Sequence, residues 1–116
     1  MSKLRIVFMG TGDIALPAFS SLLDSDDFEV LALVTQPDKP VGRKQMLTPP
    51  AIKELAQQHD IPVMQPERAR EKSFLAELAA LEPDVIAVMA YGQILTQKLL
   101  DIPSLACINL HASLLP

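Results

Sequence analysis

Five short apolar runs recur along the chain, and what separates them has a different period. "LRIVFMG" (4–10), "EVLALVT" (29–35), "IPVMQP" (61–66), "DVIAVMA" (84–90) and "LACINL" (105–110) are rich in Ile, Val, Leu and Met, as expected of strands buried on both faces. Between them, "IALPAFSSLL" places Ile14, Phe19, Leu22 and Leu23 on one side at helical spacing, with Asp13 as its expected N-cap and Pro17 tolerated near the first turn. "TPPAIKELAQQHD" predicts a second helix capped by Thr48, with prolines at the next two positions and Ile52, Leu55 and Ala56 inward. "EKSFLAELAALE" predicts a third, with Phe74, Leu75, Leu78 and Leu81 inward, and "TQKLLD" a short fourth. Strands alternating with helices at this spacing give an α/β fold, a parallel sheet with helices on both faces.

Ligands of such sheets bind outside the carboxyl ends of the strands. Gly10 to Asp13, the loop after Thr35, Ala90 to Gln93, and Asn109 to His111 each follow a strand, so they are expected to converge. The segment Gln36 to Leu47 has two prolines, a glycine and no apolar period. It reads as a long exposed loop, and loops of that length are often functional.

The composition sets limits. With 116 residues, 49% hydrophobic and 21% charged, the chain can form one folded domain with one core. A net charge of −4 argues against a surface given over wholly to nucleic acid. A single cysteine allows no intrachain disulfide and fits a reducing cytoplasm, and no His or Cys row has metal-ligand spacing. No apolar stretch approaches a membrane span, and Met1 leads straight into a strand without a signal-peptide core.

"GTGDIA" satisfies a dinucleotide fingerprint after a strand and before a helix. The second strand, however, ends in Thr35 and Gln36 where an acidic residue would hold the ribose, so a tight strand-to-helix turn competes with the nucleotide reading. In the long loop, Lys39, Arg43 and Lys44 stand against Asp38 alone; this is either a solvated loop or a site for a polyanion. Tyr91 and Gly92 either frame a pocket or make a turn. His59 suits a helix C-terminus, and Cys107 reads as a small buried hydrophobe. Asn109 and His111 alternate to the same side of a strand end. An amide N–H there can stabilise an oxyanion, and an imidazole can do the same or carry a proton.

"INLHASLLP" resembles the N-x-H-x-S-L-L-P signature of the 10-formyltetrahydrofolate-dependent formyltransferases. "VTQPDKPVGRKQMLTPPAIKELA", "IPVMQPE" and "VMAYGQILTQKLLDIPSLACINLHASLLP" are similar to the branch that acts on methionyl-tRNA. Together these motifs cover nearly the whole chain. The resemblance implies a Rossmann-like sheet in which residues 1–116 are a truncated N-terminal part of the catalytic domain. It makes Asn109 and His111 the catalytic pair, with Ser113 in the supporting turn. Val88 to Leu95, and within it Met89, Ala90, Tyr91, Gly92, Gln93 and Ile94, becomes the wall for the pterin end of the folate, largely through backbone groups. On the substrate side it implies Gly10, Thr11, Lys39, Arg43, Lys44 and Ser113, with Pro37 to Leu47 engaging the tRNA acceptor arm and Arg43 as the leading contact.

The implied activity is formyl transfer from 10-formyltetrahydrofolate, a consumed cosubstrate, to the amine of initiator methionyl-tRNA in translation initiation, without a metal or a membrane and in the cytoplasm. Two departures stand out. Gly12 replaces the proline of the common G-T-P-[DE]-F-A, which makes the dinucleotide fingerprint an accident of that change. The family's third catalytic residue, an aspartate, lies beyond the signature, with further strands and a C-terminal tRNA-binding domain, so this chain alone is expected to be inactive and to self-associate through an exposed sheet edge. Sister enzymes acting on a sugar amine or a purine precursor remain the enzymatic alternative, and a non-catalytic folate-binding or nucleotide-binding module the other.

Overall fold

The strand β1 (Leu4–Gly10) runs through the centre of a five-stranded parallel sheet. The computed structural model describes residues 3–41 and 46–110. β2 (Phe28–Val34) lies on one side of β1, and β3 (Lys39–Val41) and β4 (Met46–Thr48) pair separately as an antiparallel hairpin. β5 (Val63–Met64), β6 (Val85–Met89) and β7 (Ala106–Asn109) complete the sheet in the order β5-β2-β1-β6-β7. The order reverses direction at β1, which opens a crevice at the carboxyl ends of β1 and β6.

Alternation along β1 divides the core between two faces. Ile6 and Phe8 pack with Phe19, Leu33, Ile52 and Ala56, under α1 (Leu16–Asp24) and α2 (Ala51–Gln58). Val7 and Met9 pack with Phe74, Leu78, Ile86 and Leu99, under α3 (Lys72–Ala80) and α4 (Gln97–Leu100). Helices therefore cover both faces, as the alternation of periods requires. At the opposite edge from the crevice, the Asp84 carboxylate accepts the Arg5 backbone N–H at 2.9 Å and the Ser104 hydroxyl at 3.0 Å, which joins the starts of β1 and β6.

Four local expectations need correcting. The segment from Gln36 to Leu47 is not wholly irregular, since Lys39, Pro40 and Val41 pair with Thr48, Leu47 and Met46. A two-stranded ribbon has only edge strands, and that is where a proline without an N–H is tolerated. Thr48 does not cap α2: it precedes Pro49, which drives it to extended backbone, and Pro50 takes the cap position at φ −60°, ψ 147°. Asp13 is not an N-cap either, because Gly12 (φ −70°, ψ 157°) starts a 3-10 turn, Asp13–Ala15, that feeds α1 through Ala15 without a side-chain cap. Ile14, rotated by that turn, is exposed at 47% rather than inward.

Candidate active site

Gly10 ends β1 where there is no room for a side chain. A Cβ there would lie 2.7 Å from the Met89 carbonyl oxygen and 2.8 Å from the Phe8 ring. The close approach lets the next two residues reach the turn after β6: the Thr11 and Gly12 N–H groups donate to the Ala90 carbonyl at 3.0 and 3.3 Å. Those N–H groups are the ones a pyrophosphate would need at this turn, and they are already taken. The glycine-rich motif thus serves to join two strand ends, in agreement with the tight-turn reading.

The turn after β6 is unusual. Ala90 has φ 52° and Gly92 φ 96°, so the chain passes twice through a region that L-residues rarely adopt. Such backbone is held only where its surroundings over-determine it, and here the surroundings are a hydrogen-bond network. The Thr11 hydroxyl donates to the Tyr91 carbonyl at 3.1 Å, and Gln36 Nε2 donates to the same oxygen at 3.0 Å. Gln93 Nε2 donates to Gln36 Oε1 at 2.8 Å and to the Glu67 carbonyl at 2.9 Å, while its Oε1 accepts the Ala69 N–H at 2.7 Å. Gln65 Nε2 donates to the Gln36 carbonyl at 3.1 Å and to Asp38 at 2.7 Å, and Lys53 pairs with Asp38 at 3.2 Å. The bond from Gln65, together with the Lys53 ammonium, holds the Asp38 carboxyl below its ordinary value against the opposing effect of burial.

Beside this network is a hollow of about 360 Å³ between the ends of β6 and β7, lined by Val88, Ala90 to Leu95, Leu100, Cys107 and Asn109. Its volume falls in the roughly 300–1,000 Å³ range of small-molecule pockets. Asn109, paired with Val88 across the two strands, belongs to this lining. Tyr91 is 2% exposed, its hydroxyl has no hydrogen-bond partner among the described residues, and burial followed by the nearby Glu71 charge pushes its pKa up to about 12. It stays neutral and serves as wall. Cys107 is half-buried rather than buried, and desolvation raises its pKa, so near neutral pH it is a thiol and no nucleophile. On the outer side of the same wall, Arg68 and Arg70 line a second hollow of about 460 Å³ with Gly92, Gln93 and Ile94.

The structure therefore brings together Ala90, Tyr91, Gly92, Gln93, Ile94 and Asn109 in one lining, with Gly10 and Thr11 bracing it. Met89 faces the other way, onto the core that holds Phe8 and Phe19. Lys39 opens the hairpin strand β3. Arg43, Lys44, His111 and Ser113 lie outside the described residues. Sequence reasoning missed Gln36, Gln65, Arg68 and Arg70. A signal was present for the two glutamines, since, like Gln93, each stands one to four residues after a parallel strand, at the edge where ligands gather. Among the described residues, no group of three or more His, Cys, Asp or Glu could hold a metal ion, and no helix is long and apolar enough to cross a membrane.

Known proteins resemble this chain in sequence and in fold. The chain is 58% identical over 113 residues to "Methionyl-tRNA formyltransferase" of Akkermansia muciniphila, covering 97% of this chain and 35% of that protein. It is 54% identical over 112 residues to the protein of the same name in Bacillus subtilis, again over 97% of this chain and 35% of the relative. The chain thus spans about a third of the length of the curated relatives it matches. Among solved structures, glycinamide ribonucleotide transformylase 1 from Symbiobacterium toebii superposes with a TM-score of 0.67 at 18% identity, over 98% of this chain and 54% of that one. Phosphoribosylglycinamide formyltransferase from Coxiella burnetii does so with a TM-score of 0.61 at 21% identity, over 99% and 54%. The model of the formyl transferase family matches residues 4–116, and the chain belongs to that family.

Proposed function

We propose that this chain is the N-terminal part of the catalytic domain of a cytoplasmic methionyl-tRNA formyltransferase, which moves a formyl group from 10-formyltetrahydrofolate to the amine of initiator methionyl-tRNA at the start of translation. The observation that carries this is the hollow between β6 and β7, with Asn109 in its lining and Gln36, at the root of the basic hairpin, bonded to its wall. A pterin is flat and bears donors and acceptors at its edge, which suits a wall made of backbone and apolar side chains from Ala90 to Leu95. Arg68 and Arg70, just outside that wall, suit the carboxylates at the far end of a folate.

In the reaction, the methionyl amine attacks the formyl carbon, a C–N bond forms and the carbonyl oxygen takes up negative charge. Asn109, with His111 two residues further on, donates hydrogen bonds to that oxyanion. Collapse breaks the bond from the formyl carbon to N10 of the folate; the amine loses a proton and N10 gains one, with His111 and the aspartate expected beyond Pro116 as carriers. Asp38 is already engaged by Gln65 and Lys53, so it does little to offset Lys39, Arg43 and Lys44 towards the phosphates of an acceptor arm.

The test uses the protein expressed from the complete gene, with 10-formyltetrahydrofolate and, in parallel, initiator methionyl-tRNA, glycinamide ribonucleotide and an amino-sugar nucleotide. A kcat/KM for the tRNA higher by on the order of 10³ is expected. Preferred formylation of either small amine would replace this reading with that of a sister enzyme.

A further inference from the structure

The glutamine network has its direction fixed at every bond, because it is anchored on groups that cannot reverse. The Ala69 N–H can only donate, so Gln93 meets it with Oε1 and turns its amide nitrogen to Gln36. Gln36 must then accept with Oε1, which leaves its own nitrogen for the Tyr91 carbonyl, a group that can only accept. Gln65 faces two acceptors, the Gln36 carbonyl and Asp38, and its orientation is fixed likewise. Gln36 is the one residue common to both branches. Through its side chain it holds the Tyr91 to Gln93 turn, and through its main chain it is held, by Gln65 and by Thr11, three residues before the hairpin strand β3 begins. Gly92 is shaped to this contact, since a Cβ there would lie 3.0 Å from Gln36 Nε2.

Resting on the formyl-transfer reading, we propose that Gln36 is a positioning residue that couples the two substrate sites, so that seating the tRNA at the hairpin sets the Tyr91 to Gln93 wall for the folate. On the β3 side the hairpin root runs through Gln36 and Asp38, both bonded to Gln65, and Gln36 is bonded to the wall. By linkage the coupling is reciprocal: whatever the tRNA adds to folate affinity, the folate adds to tRNA affinity.

The experiment measures the Kd of 5-formyltetrahydrofolate, a folate that cannot donate its formyl group, with and without saturating initiator methionyl-tRNA, on the protein expressed from the complete gene. The unaltered protein should bind this folate about fivefold or more tightly when the tRNA is present. Gln36→Glu is isosteric and still accepts from Gln93, but it sets a carboxylate oxygen against the Tyr91 carbonyl, and it should bring the ratio to near one. Gln65→Leu cuts only the hairpin branch. It should also bring the ratio to near one while leaving the Kd without tRNA within about twofold, the size of a few tenths of a kcal/mol, and it decides the matter if Gln36→Glu does not fold. A ratio near one in the unaltered protein, or a ratio that survives these substitutions, overturns the proposal. Formyl transfer to methionyl-tRNA is assayed alongside: its absence sinks the functional reading, whereas transfer with an unchanged ratio sinks only the coupling.

Discussion

The Thr11 hydroxyl donates to the Tyr91 carbonyl at 3.1 Å across 80 residues of sequence, and in the same position its oxygen accepts the Gln36 backbone N–H at 3.2 Å. One small side chain therefore joins the ends of β1, β2 and β6. The fully buried Thr35 donates to the same oxygen at 3.4 Å. Thr11→Val keeps the volume and leaves two donors without an acceptor, so it should destabilise the protein by about 1–3 kcal/mol. Urea denaturation of the variant beside Thr11→Ser, which retains the hydroxyl and should stay near the parent, checks this.

Gly92→Ala combines two penalties, a φ of 96° that Ala rarely adopts and a Cβ 3.0 Å from Gln36 Nε2. Strain of this kind costs about 1–3 kcal/mol, and relief requires moving either Gln36 or the wall. A loss of folate affinity of about tenfold, equivalent to 1.4 kcal/mol, is expected in a binding titration. An unchanged Kd would mean that the wall does not touch the folate.

The Asp38 carboxyl is more acidic in the fold than its ordinary 3.8, chiefly through the Gln65 bond and also through Lys53. A carboxylate whose folded pKa is depressed adds stability above its unfolded value, and that stability is lost as pH falls through the folded value. Asp38→Asn should therefore lower the Tm at neutral pH, with the gap to the parent closing below pH 3.8. Thermal melts from pH 7 down to pH 3 show it; a gap that is constant with pH would assign the loss to packing.

Asn109→Ala should lower kcat by two to three orders of magnitude, roughly the cost of one oxyanion donor, with folate affinity almost unchanged. Steady-state kinetics on the protein from the complete gene decide it. A tenfold or smaller loss would make Asn109 a structural residue at the end of β7.

The strands were legible because residues such as Ile6, Val7, Phe8 and Met9 are all buried, which leaves an unbroken apolar run. The inward faces of α2 and α3 were legible from Ile52, Ala56, Phe74 and Leu78 for the corresponding reason at helical spacing. The hairpin was not, since three residues a side, one of them Pro40, carry no usable alternation. Asp13 misled because a cap preference is local, whereas the turn it stands in is set by Ala90, distant in sequence. The pocket wall from Ala90 to Ile94 was legible as a motif. Its support was not, because Gln36, Gln65 and Gln93 come from three separate strand ends and meet only once the sheet has formed.

The central position of β1 also has a consequence in time. β1 is made first, yet its Arg5 N–H finds the Asp84 acceptor 79 residues later, and β6 is its neighbour on that side. At synthesis rates of about 5–20 residues per second, β1 emerges about 4–16 s before that neighbour exists. For that interval only β2 can shield β1, on one edge, so the buried run Ile6 to Met9 keeps its other edge unpaired until Val85 to Met89 has been made.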